Sequence, residues 1–549
     1  MSDTANTVSY AAGRTDVPLL DETIGANLAR AVERFPEREA LVVRHQDIRW
    51  TYAELDARVE ELARGLLATG LQVGDRIGLW SPNRYEWVLV QFASARIGVI
   101  MVCLNPAYRT TELQFALQQS GCRMLLAAPS FKTSDYRAMW QEVASECPGV
   151  EHAVFFDAPE WTALLERAAT IDAAEVHARA ATLRPTDPIN IQYTSGTTGL
   201  PKGATLTHRN ILNNGFFVGE ACSFTEHDRV CIPVPFYHCF GMVMGNLGSV
   251  SHGACMVIPN DAFEPLTVLQ TVQAERCTAL YGVPTMFIAE LATDGFDEFD
   301  LSSLRTGIMA GSPCPTEVMK QVIDRMHMHE VTIAYGMTET SPVSTQTGAD
   351  DPVERRVSTV GRVHPHVEIR VADPETNQVV PRGVAGEFQT RGYSVMQGYW
   401  NEPEKTAGAI DSEGWMHTGD LAVMDDAGYV NITGRIKDLI IRGGENVSPR
   451  EVEEYLHGHP DVIDVQVVGV PDQRFGEEVC AFVRTRPGAT VEPEAIREFC
   501  RGRIAHYKVP RYVLVVDEFP MTVTGKIQKY KLRDQATDEL SLEGLGDTA

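Results

Sequence analysis

The clearest fold signal lies in residues 51–80, which read TYAELDARVEELARGLLATGLQVGDRIGLW. Thr51 and Glu54 have the spacing of a helix capping box, and apolar residues then recur at helical spacing. Gly70 ends this pattern, and segment 76–80 has the short apolar character of a buried strand. Similar apolar strands recur at 99–103, 153–156, 230–233, 254–258, 279–281 and 307–309. This alternation predicts an α/β fold with more than one sheet and substantially parallel strands.

The character of the chain changes at about residue 360. Segments 367–371 and 386–390 alternate like half-buried strands between Pro and Gly turns, which predicts a small β-rich subdomain over 360–434. After a hairpin signal at 425–428, residues 448–451 read SPRE and have the pattern of a second capping box, before a strand at 462–470. We therefore expect an N-terminal domain over residues 1–434 and a small α+β C-terminal domain over residues 435–549. The polar ends, 1–20 and 535–549, are expected to be loosely held.

The charge of the chain restricts what it can bind. Lys and Arg number 48 against 74 Asp and Glu, so the net charge is −26, which disfavours nucleic acid or an anionic membrane as a general partner. An anionic ligand therefore needs a local site. The most apolar window, 87–104, is interrupted by Gln91, Ser94 and Arg96, and it predicts a short amphipathic helix before a strand rather than a transmembrane segment.

The cysteines indicate a reducing compartment. They number eleven, contain no CxxC pair and lie mostly in apolar stretches, which is typical of reduced core cysteines in a cytoplasmic protein. The first residues lack a basic flank and an apolar signal core, so no targeting signal is expected. The sequence leaves open whether two copies form a homodimer.

The strongest chemical signal lies in residues 193–203, which read YTSGTTGLPKG. Glycines let backbone N–H groups converge on an anion, hydroxyls add donors, and Lys202 supplies a point charge. The segment does not fit the P-loop pattern G-x-x-x-x-G-K-[ST], because Pro201 stands five residues after Gly196. A plain Ser/Thr/Gly linker is the alternative. The candidate phosphate-binding residues are Thr194, Ser195, Gly196, Thr197, Thr198, Gly199, Leu200, Pro201 and Lys202.

This loop and further motifs, in the same order over residues 25–535, resemble the acyl-adenylate-forming superfamily. That superfamily comprises acyl- and aryl-CoA synthetases, adenylation domains of peptide synthetases and firefly-type luciferases. Segments 203–208 (GATLTH), 237–241 (YHCFG) and 441–446 (IRGGEN) are most similar to medium-chain fatty acyl-CoA synthetases. The resemblance implies a large N-terminal domain of stacked sheets with helices and a small mobile C-terminal lid. It also implies that a carboxylic acid joins the α-phosphate of ATP, releasing pyrophosphate, before the acyl group passes to coenzyme A.

The resemblance extends the ATP site to later segments. In 335–339 (YGMTE), it implies that the Tyr335 ring packs on adenine, that Thr338 contacts the α-phosphate and that Glu339 holds Mg²⁺. Taken alone, this segment would be interpreted as a turn with a surface glutamate. Asp420 and Arg435 would contact the ribose hydroxyls; singly, each is more often a surface salt-bridge residue. The remaining ATP contacts implied are Gly311 and Gly336.

The C-terminal part carries the implied catalytic lysine. Lys526 lies in 520–527 (PMTVTGKI), and residues 520–533 carry basic side chains without one acidic residue, a reversal of the overall charge. Lys526 would contact the attacking carboxylate oxygen and the α-phosphate, where charge peaks in the transition state. A solvated basic tail is the alternative. The catalytic residues that the resemblance implies are Lys526, Thr198, Glu339 and His238.

Two half-reactions at one site require the lid to move. The resemblance implies a hinge at Lys437 and a loop, Gly443, Gly444 and Glu445, that lines a tunnel for the pantetheine arm of CoA. Glycines suit a thin chain that passes close to the backbone. A simple turn is the alternative for this loop.

His238 lies in the aromatic segment 235–241 (PFYHCFG), near the acyl-carboxylate site implied by the resemblance, and a satisfied core histidine is its alternative. The next residues, 242–245 (MVMG), would suit the wall of an acyl tunnel or plain core packing. We therefore expect a magnesium-dependent fatty acyl-CoA synthetase for medium-chain acids. An aryl- or steroid-acid ligase, an adenylation enzyme that loads a carrier protein, a luciferase-like oxidase and a non-catalytic sensor are the alternatives.

Overall fold

The computed structural model describes residues 7–194, 201–312, 314–443, 445–486, 488–489, 491–522 and 527–542. The strands are β1 (Tyr10–Ala12), β2 (Glu39–Val43), β3 (Ile48–Thr51), β4 (Arg76–Trp80), β5 (Ile100–Leu104), β6 (Met124–Ala127), β7 (Ser130–Phe131), β8 (Ser134–Asp135), β9 (His152–Phe155), β10 (Pro188–Thr194), β11 (Lys202–Thr207), β12 (Arg229–Cys231), β13 (Cys255–Ile258), β14 (Ala279–Gly282), β15 (Thr306–Ala310), β16 (Glu330–Gly336), β17 (Val343–Gln346), β18 (Arg362–Val363), β19 (Val367–Ala372), β20 (Gly386–Gly392), β21 (Gly398–Tyr399), β22 (Met416–Met424), β23 (Val430–Arg435), β24 (Ile440–Arg442), β25 (Glu445–Val447), β26 (Val462–Asp472), β27 (Gly476–Thr485) and β28 (Tyr512–Val515).

The α-helices are α1 (Ile24–Arg34), α2 (Tyr52–Leu67), α3 (Tyr85–Ile97), α4 (Thr110–Ser120), α5 (Tyr136–Val143), α6 (Pro159–Glu166), α7 (Ala173–Ala180), α8 (His208–Ala221), α9 (Gly248–His252), α10 (Pro265–Glu275), α11 (Pro284–Leu291), α12 (Thr316–Arg325), α13 (Val353–Ser358), α14 (Pro403–Ala409), α15 (Pro449–Leu456), α16 (Pro493–Cys500) and α17 (Lys529–Glu539). A π-helix, Phe240–Leu247, runs directly into α9.

Two large sheets of mostly parallel strands form the body of the molecule. One has the strand order β21-β11-β10-β5-β4-β6-β9, and the other has the order β18-β17-β16-β15-β14-β12-β13-β2-β3. Strands β4, β5, β6, β9 and β10 are parallel, as are β2 and β12 to β16, because helical connections return the chain to the same edge. The expected α/β fold with more than one parallel sheet is confirmed.

Local sequence signals determine the helix α2. The Thr51 side chain accepts from the Glu54 backbone N–H, and the Glu54 carboxylate accepts from the Thr51 backbone N–H, so the predicted capping box is formed. The apolar residues that follow are buried against α3 and the sheets.

The amphipathic character predicted for the helix before β5 is wrong. In α3 every residue from Glu86 to Ile97 is buried, including the polar ones. Gln91 donates to the Met242 carbonyl oxygen and Arg96 forms ion pairs with Asp56 and Glu60, so both of these side chains have partners within the protein. In the part of the chain that the structure describes, no helix is long and apolar enough to cross a membrane.

A third, antiparallel sheet supports the predicted β-rich region. Its order is β1-β19-β20-β22-β23, so a strand from the N-terminal segment, Tyr10–Ala12, completes the sheet at one edge by pairing with β19. The expectation that residues 1–20 are loosely held is therefore wrong for this strand. The same expectation for residues 535–549 is wrong for their first part. Helix α17 extends into this segment, and Ala536 and Leu542 are buried against β26 and β27. Backbone pairing with β19 holds the first segment and apolar packing holds the second, and the polarity of a single sequence reveals neither contact.

The C-terminal unit has its own sheet and core. Its sheet contains β24 to β28, and α15, α16 and α17 pack on it. The capping box predicted at 448–451 is wrong: the Ser448 side chain makes no cap and donates instead to the Thr433 carbonyl oxygen on β23. Arg450 donates to the neighbouring Ile432 carbonyl oxygen. The start of α15 therefore binds the edge strand of the β-rich sheet.

The body also contains a buried acid without a partner. Glu290 on α11 is 1% exposed, and neither of its carboxylate oxygens has a hydrogen-bond partner among the described residues. Burial raises the pKa of this carboxyl well above its ordinary value of 4.5. The unfolded chain loses this proton at a lower pH than the folded protein does. Stability from this group is therefore present at acidic pH and is lost as pH rises above the unfolded pKa.

We predict that Glu290→Gln, which keeps the shape but cannot ionise, reduces the loss of stability as pH rises. Unfolding of the wild type releases the Glu290 proton. Between the pKa of Glu290 in the unfolded chain and its higher pKa in the folded protein, the free energy of unfolding of the wild type should therefore fall by about 1.4 kcal/mol per pH unit. Denaturant unfolding at about pH 5.5 and about pH 8.5 measures the difference. Glu33→Gln, at an exposed position of α1, is the control. If the free energies of unfolding of the wild type and Glu290→Gln differed by the same amount at both pH values, Glu290 would not be a neutral acid in the folded protein.

Candidate active site

The two ends of the predicted phosphate loop lie side by side. β10 ends at Thr194, β11 begins at Lys202, and these two residues are register partners in an antiparallel pair. Pro201 directly precedes β11. The loop residues Ser195, Gly196, Thr197, Thr198, Gly199 and Leu200, predicted to contact phosphate, lie outside the described residues. The hairpin nevertheless fixes where the loop leaves and re-enters the sheet.

The carboxylate of Glu339 lies next to the start of this loop. Its Oε1 accepts from the Tyr399 hydroxyl at 2.8 Å and from Thr194 Oγ1 at 3.4 Å, and its side chain is buried. The Glu339 carbonyl oxygen accepts from the Met396 backbone N–H at 2.9 Å. Tyr399 belongs to β21, which pairs with β11, so the strand that follows the loop also brings the tyrosine to Glu339.

The surroundings of Glu339 fit a hard cation. Among the described residues it has no basic partner, and its two side-chain contacts are neutral hydroxyls. A buried carboxylate without an opposite charge is costly, and an oxygen ligand of this kind is what Mg²⁺ prefers. The described residues contain no cluster of three or more metal-binding side chains. The residues around Glu339 thus fit a magnesium ion, with this carboxylate as one oxygen ligand.

Glycine is required at the ends of two neighbouring strands, β15 and β16. A Cβ on Gly336 would lie 1.7 Å from the Pro342 carbonyl oxygen, so only glycine fits at this end of β16. Gly311 follows the neighbouring parallel strand β15 and has a φ of +92°, a conformation that favours glycine. Thr338 and Glu339 follow directly after β16 in a short turn. The predicted adenine and α-phosphate residues thus share one edge of the sheet.

Asp420 and Arg435, the predicted ribose residues, are paired across two strands. They are register partners on β22 and β23, and Asp420 Oδ1 lies 2.9 Å from Arg435 Nε. Asp420 Oδ2 accepts from the Tyr335 hydroxyl at 2.7 Å. Burial, together with the neighbouring Asp420 charge, raises the pKa of Tyr335 well above its ordinary value, so the phenol stays a donor. A carboxylate offers further lone pairs, so these contacts leave acceptor capacity for ribose hydroxyls.

Several charged side chains lie near Lys437, where the body connects to the C-terminal unit. Lys437 lies in the turn Ile436–Asp438, directly after β23, and burial and the nearby cations Arg435 and Lys202 lower its pKa. Lys202 Nζ in turn lies 5.2 Å from the centre of the Tyr399 ring. The acidic side chains of Asp438 and Asp420 act in the opposite direction, so this connection holds both cationic and anionic groups. Sequence reasoning assigned Lys437 to the hinge alone and did not anticipate its proximity to Lys202.

The described residues of the predicted CoA loop lie on the surface of the C-terminal unit. Gly443 and Glu445 are exposed, and Gly444 lies outside the described residues, as does the predicted catalytic residue Lys526. Gly443 has a φ of +59°, and a Cβ there would lie 2.9 Å from the Phe475 ring, so the loop needs glycine for its turn. Arg442 and Arg474 both place their guanidinium groups over this ring, at 4.3 and 4.9 Å from its centre.

His238 lies at the boundary between the site and the core. Its Nδ1 is 3.2 Å from the backbone nitrogen of Phe240, at the start of the π-helix. The next residue, Cys239, is buried and lies close to Thr338 and Glu339. His238 therefore stands near the predicted phosphate residues, at the N-terminal end of a buried apolar helix.

Two protein-family models match most of this chain. The family model described as AMP-binding enzyme matches residues 28–400, and the model described as AMP-binding enzyme C-terminal domain matches residues 451–526. The chain belongs to the AMP-binding enzyme family. This confirms the resemblance found in the sequence. Asp420, Arg435 and Lys437 lie between the two matched segments, where the body joins the C-terminal unit.

Relatives match nearly the whole length of this AMP-binding enzyme. YngI of Bacillus subtilis (strain 168), an acyl-CoA synthetase by name, is 48% identical over 543 residues, which cover 95% of this chain and 99% of YngI. The mitochondrial medium-chain acyl-CoA ligase ACSF2 of Danio rerio is 44% identical over 556 residues, covering 98% of this chain and 92% of that protein. The structure of the anthranilate CoA ligase AuaEII in complex with anthranoyl-AMP superposes with a TM-score of 0.85 at 26% identity, covering 96% of this chain and 99% of AuaEII.

Sequence reasoning missed Tyr399 as a residue of the site. Gly398-Tyr399-Trp400 carries no spacing that links it to Glu339, which precedes it by a long stretch of chain. The link exists only because β21 pairs with β11. An aromatic residue after a glycine, in a segment rich in turn signals, was the one available hint.

We predict that Tyr399→Phe weakens the binding of ATP in the presence of magnesium by about 10-fold, because a hydrogen bond to a charged group contributes about 1.5 kcal/mol. ATP binding without magnesium should change little, since the hydroxyl acts through Glu339. Calorimetric titration with and without Mg²⁺ measures both. Tyr393→Phe is the control, because that buried hydroxyl lies 3.5 Å from Asn214 and away from Glu339. An equal loss with and without the metal would contradict this role.

Proposed function

We propose that this AMP-binding enzyme is an AMP-forming acyl-CoA ligase for medium-chain fatty acids. The reaction would convert the acid and ATP to acyl-AMP and pyrophosphate, and then acyl-AMP and CoA to acyl-CoA and AMP. The observations that carry the proposal are the buried Glu339 carboxylate, which Tyr399 and Thr194 contact at the start of the predicted phosphate loop, and the Asp420–Arg435 pair. The names of YngI and ACSF2 support CoA ligation, and that of ACSF2 supports the chain length.

The first half-reaction creates a leaving group. A carboxylate repels a thiolate and has no group to expel, whereas an acyl-adenylate expels AMP, so two easier steps replace one difficult step. Lys202 would neutralise the outer phosphates, and Asp420 with Arg435 would hold the ribose. Thr338 would donate to the α-phosphate. These groups are positioned before the reaction, so they stabilise the charge that develops on phosphorus without reorganisation.

Glu339 would hold Mg²⁺ through the carboxylate that Tyr399 and Thr194 orient. When bound, the metal would neutralise phosphate charge during attack at phosphorus. The hydroxyls of Tyr399 and Thr194 donate to Oε1, which leaves the other oxygen, Oε2, for the cation.

The second half-reaction would require the C-terminal unit to rotate. We propose that residues 435–549 form the lid and that the turn at Lys437 is the hinge. The lid holds the body through Ser448 and Arg450, which donate to adjacent carbonyl oxygens at the edge strand β23. These polar contacts can be exchanged for water when the lid turns. In another lid position, Gly443, Gly444 and Glu445 would reach the site, and Phe475 with its two arginines would accompany them.

The proposed compartment is the cytoplasm. All eleven cysteines lie in described parts of the chain, and each is buried and unpaired, as in proteins of reducing compartments. ACSF2 of Danio rerio is mitochondrial by name, which is also a compartment with reduced thiols. Fractionation of the native host, with an antibody against this chain, would distinguish the two.

We predict that the protein releases AMP and pyrophosphate from ATP when supplied with an acid and CoA, and that octanoate supports faster turnover than acetate, palmitate or benzoate. A coupled assay over such a panel, run with and without CoA, measures both half-reactions. Pyrophosphate release without CoA should stop near one turnover per enzyme. A panel in which no acid supports pyrophosphate release would refute the proposed function, and preference for benzoate would refute the substrate class.

We predict that Lys526→Ala slows acyl-AMP formation at least about 100-fold, because it removes a cation aimed at charge in the transition state. Conversion of supplied acyl-AMP to acyl-CoA should remain near the wild-type rate. Lys531→Ala, which removes an exposed lysine of α17, is the matched control. Equal losses in both half-reactions would show that Lys526 does not have the predicted role.

A further inference from the structure

The pairing of β22 with β20 is irregular at Asp420. Gln389 on β20 is the register partner of His417. The next pair along the two strands is Glu387 with Leu421. Between these two pairs, β20 has one residue and β22 has three, the last of which is Asp420. An arrangement of this kind is a β-bulge, which bends the strand and re-aims a side chain. The bulge therefore determines where the Asp420 carboxylate points.

Two side chains bind the backbone of this bulge. The Gly419 N–H donates to Glu387 Oε1 at 3.0 Å, and the Asp420 N–H donates to Thr418 Oγ1 at 3.1 Å. Thr418 Oγ1 donates in turn to the Phe388 carbonyl oxygen at 2.5 Å. Gly419 has a φ of +70°, a conformation that favours glycine. The shape of the bulge thus depends on one carboxylate and one hydroxyl.

The carboxylate of Glu387 is buried and is fully engaged by the two strands. Its Oε2 accepts from Gln389 Nε2 at 2.8 Å and lies 2.8 Å from His417 Nδ1. The exposed fraction of Glu387 is 8%. A buried carboxylate costs free energy that an apolar side chain at the same position would not. What this carboxylate provides is a strong, charge-assisted hydrogen bond to the Gly419 N–H.

The bulge directs Asp420 into the candidate active site. Asp420 Oδ2 accepts from the Tyr335 hydroxyl at 2.7 Å, and Oδ1 lies 2.9 Å from Arg435 Nε. Tyr335 belongs to β16 in the nine-stranded sheet, so the carboxylate must leave the β-rich sheet in one direction to reach it. A shift of the bulge would change both contacts and the remaining acceptor positions at once.

We propose that Glu387 is a positioning residue for the ribose of ATP. Its hydrogen bond to Gly419 fixes the bulge, and the bulge fixes the Asp420 carboxylate opposite the ribose hydroxyls. This inference rests on the proposed function, because it takes Asp420 as the acceptor of those hydroxyls. Glu387 itself would not contact ATP, so the effect of its loss should depend on the presence of the hydroxyls.

The test compares ATP with dideoxy-ATP, the analogue that lacks both ribose hydroxyls. The wild type should bind ATP at least about 10-fold more tightly, since each hydroxyl would donate to a charged group. In Glu387→Leu, the affinity for ATP should fall at least about 5-fold, whereas the affinity for dideoxy-ATP should change by less than about 2-fold. Calorimetric titration in the presence of Mg²⁺ measures both dissociation constants.

Equal losses for the two nucleotides in Glu387→Leu would overturn the inference, because general damage to the site weakens both. A wild type that binds the two nucleotides equally would also overturn it, since Asp420 would then not read the ribose. A wild type that binds neither nucleotide would overturn the proposed function and the inference with it. If Glu387→Leu does not fold, Glu387→Gln, which keeps an uncharged acceptor, should show an ATP-specific loss of about 3-fold.

Asp351→Leu is the matched control. Asp351 is also a buried carboxylate that accepts from a glycine N–H, that of Gly348 at 2.7 Å. It accepts from the Tyr429 hydroxyl at the opposite end of the β22–β23 hairpin from Asp420. The ratio of the two affinities should therefore equal that of the wild type. An ATP-specific loss in this control would overturn the inference.

A further variant tests whether the effect passes through Glu387. His417→Phe removes the ring nitrogen that faces Glu387 Oε2 and should lower the affinity for ATP alone by about 3-fold. Combined with Glu387→Leu, it should cost no more than Glu387→Leu does alone, because His417 would act only through this carboxylate. Additive losses in the double variant would contradict the inference.

Discussion

The site depends on the pairing of Asp420 with Arg435 across β22 and β23, beside the connection to the C-terminal unit. Lys437 lies in the turn directly after Arg435, where burial, Arg435 and Lys202 lower its pKa while Asp438 and Asp420 raise it. Asp420 offsets part of the positive charge through its contact with Arg435. In the proposed function, these cations would interact favourably with the phosphates of ATP. They lie at the connection to the proposed lid, so ligand binding and lid position would act on one set of charges.

Backbone pairing determines where the chemistry lies. The parallel strands β15 and β16 place Gly311 and Thr338 at adjacent carboxyl ends, which is where open α/β sheets bind ligands. The antiparallel pair β10 and β11 brings Thr194 to Lys202, and β21 adds Tyr399 beside them. The β-rich sheet then contributes Asp420 opposite Arg435. Each of these side chains thus stands on a strand or within two residues of its end, so backbone hydrogen bonds hold its position.

Several local patterns predicted the fold well, and the exceptions have identifiable causes. The alternating helix and strand signals placed β4, β5, β9 and β12 to β15 correctly but did not identify β2, β6, β10 and β16, because only some of the buried strands are short uninterrupted apolar runs. Thr51 and Glu54 cap their own helix, whereas Ser448, with the same local pattern, binds β23 instead. The polar residues of α3 indicated a solvent-facing side, but Gln91 and Arg96 find partners in the interior. In both cases the polar side chain binds a residue distant in sequence. Ser448 does so instead of capping its own helix, and Gln91 and Arg96 do so instead of contacting water.

The sequence by itself determined the chemistry that is available: the residue types of the phosphate loop, the carboxylates Glu339 and Asp420, the cationic C-terminal segment and the family to which they belong. These are properties of residue type and spacing, which do not change on folding. Only the tertiary structure decided three contacts. The Tyr399 hydroxyl donates to the Glu339 carboxylate, the charge of Lys202 acts on Lys437, and the Asn246 amide of the π-helix donates to Gln91. Such contacts join residues from different sheets, and no local propensity specifies them, because packing of whole sheets and helices brings those residues together.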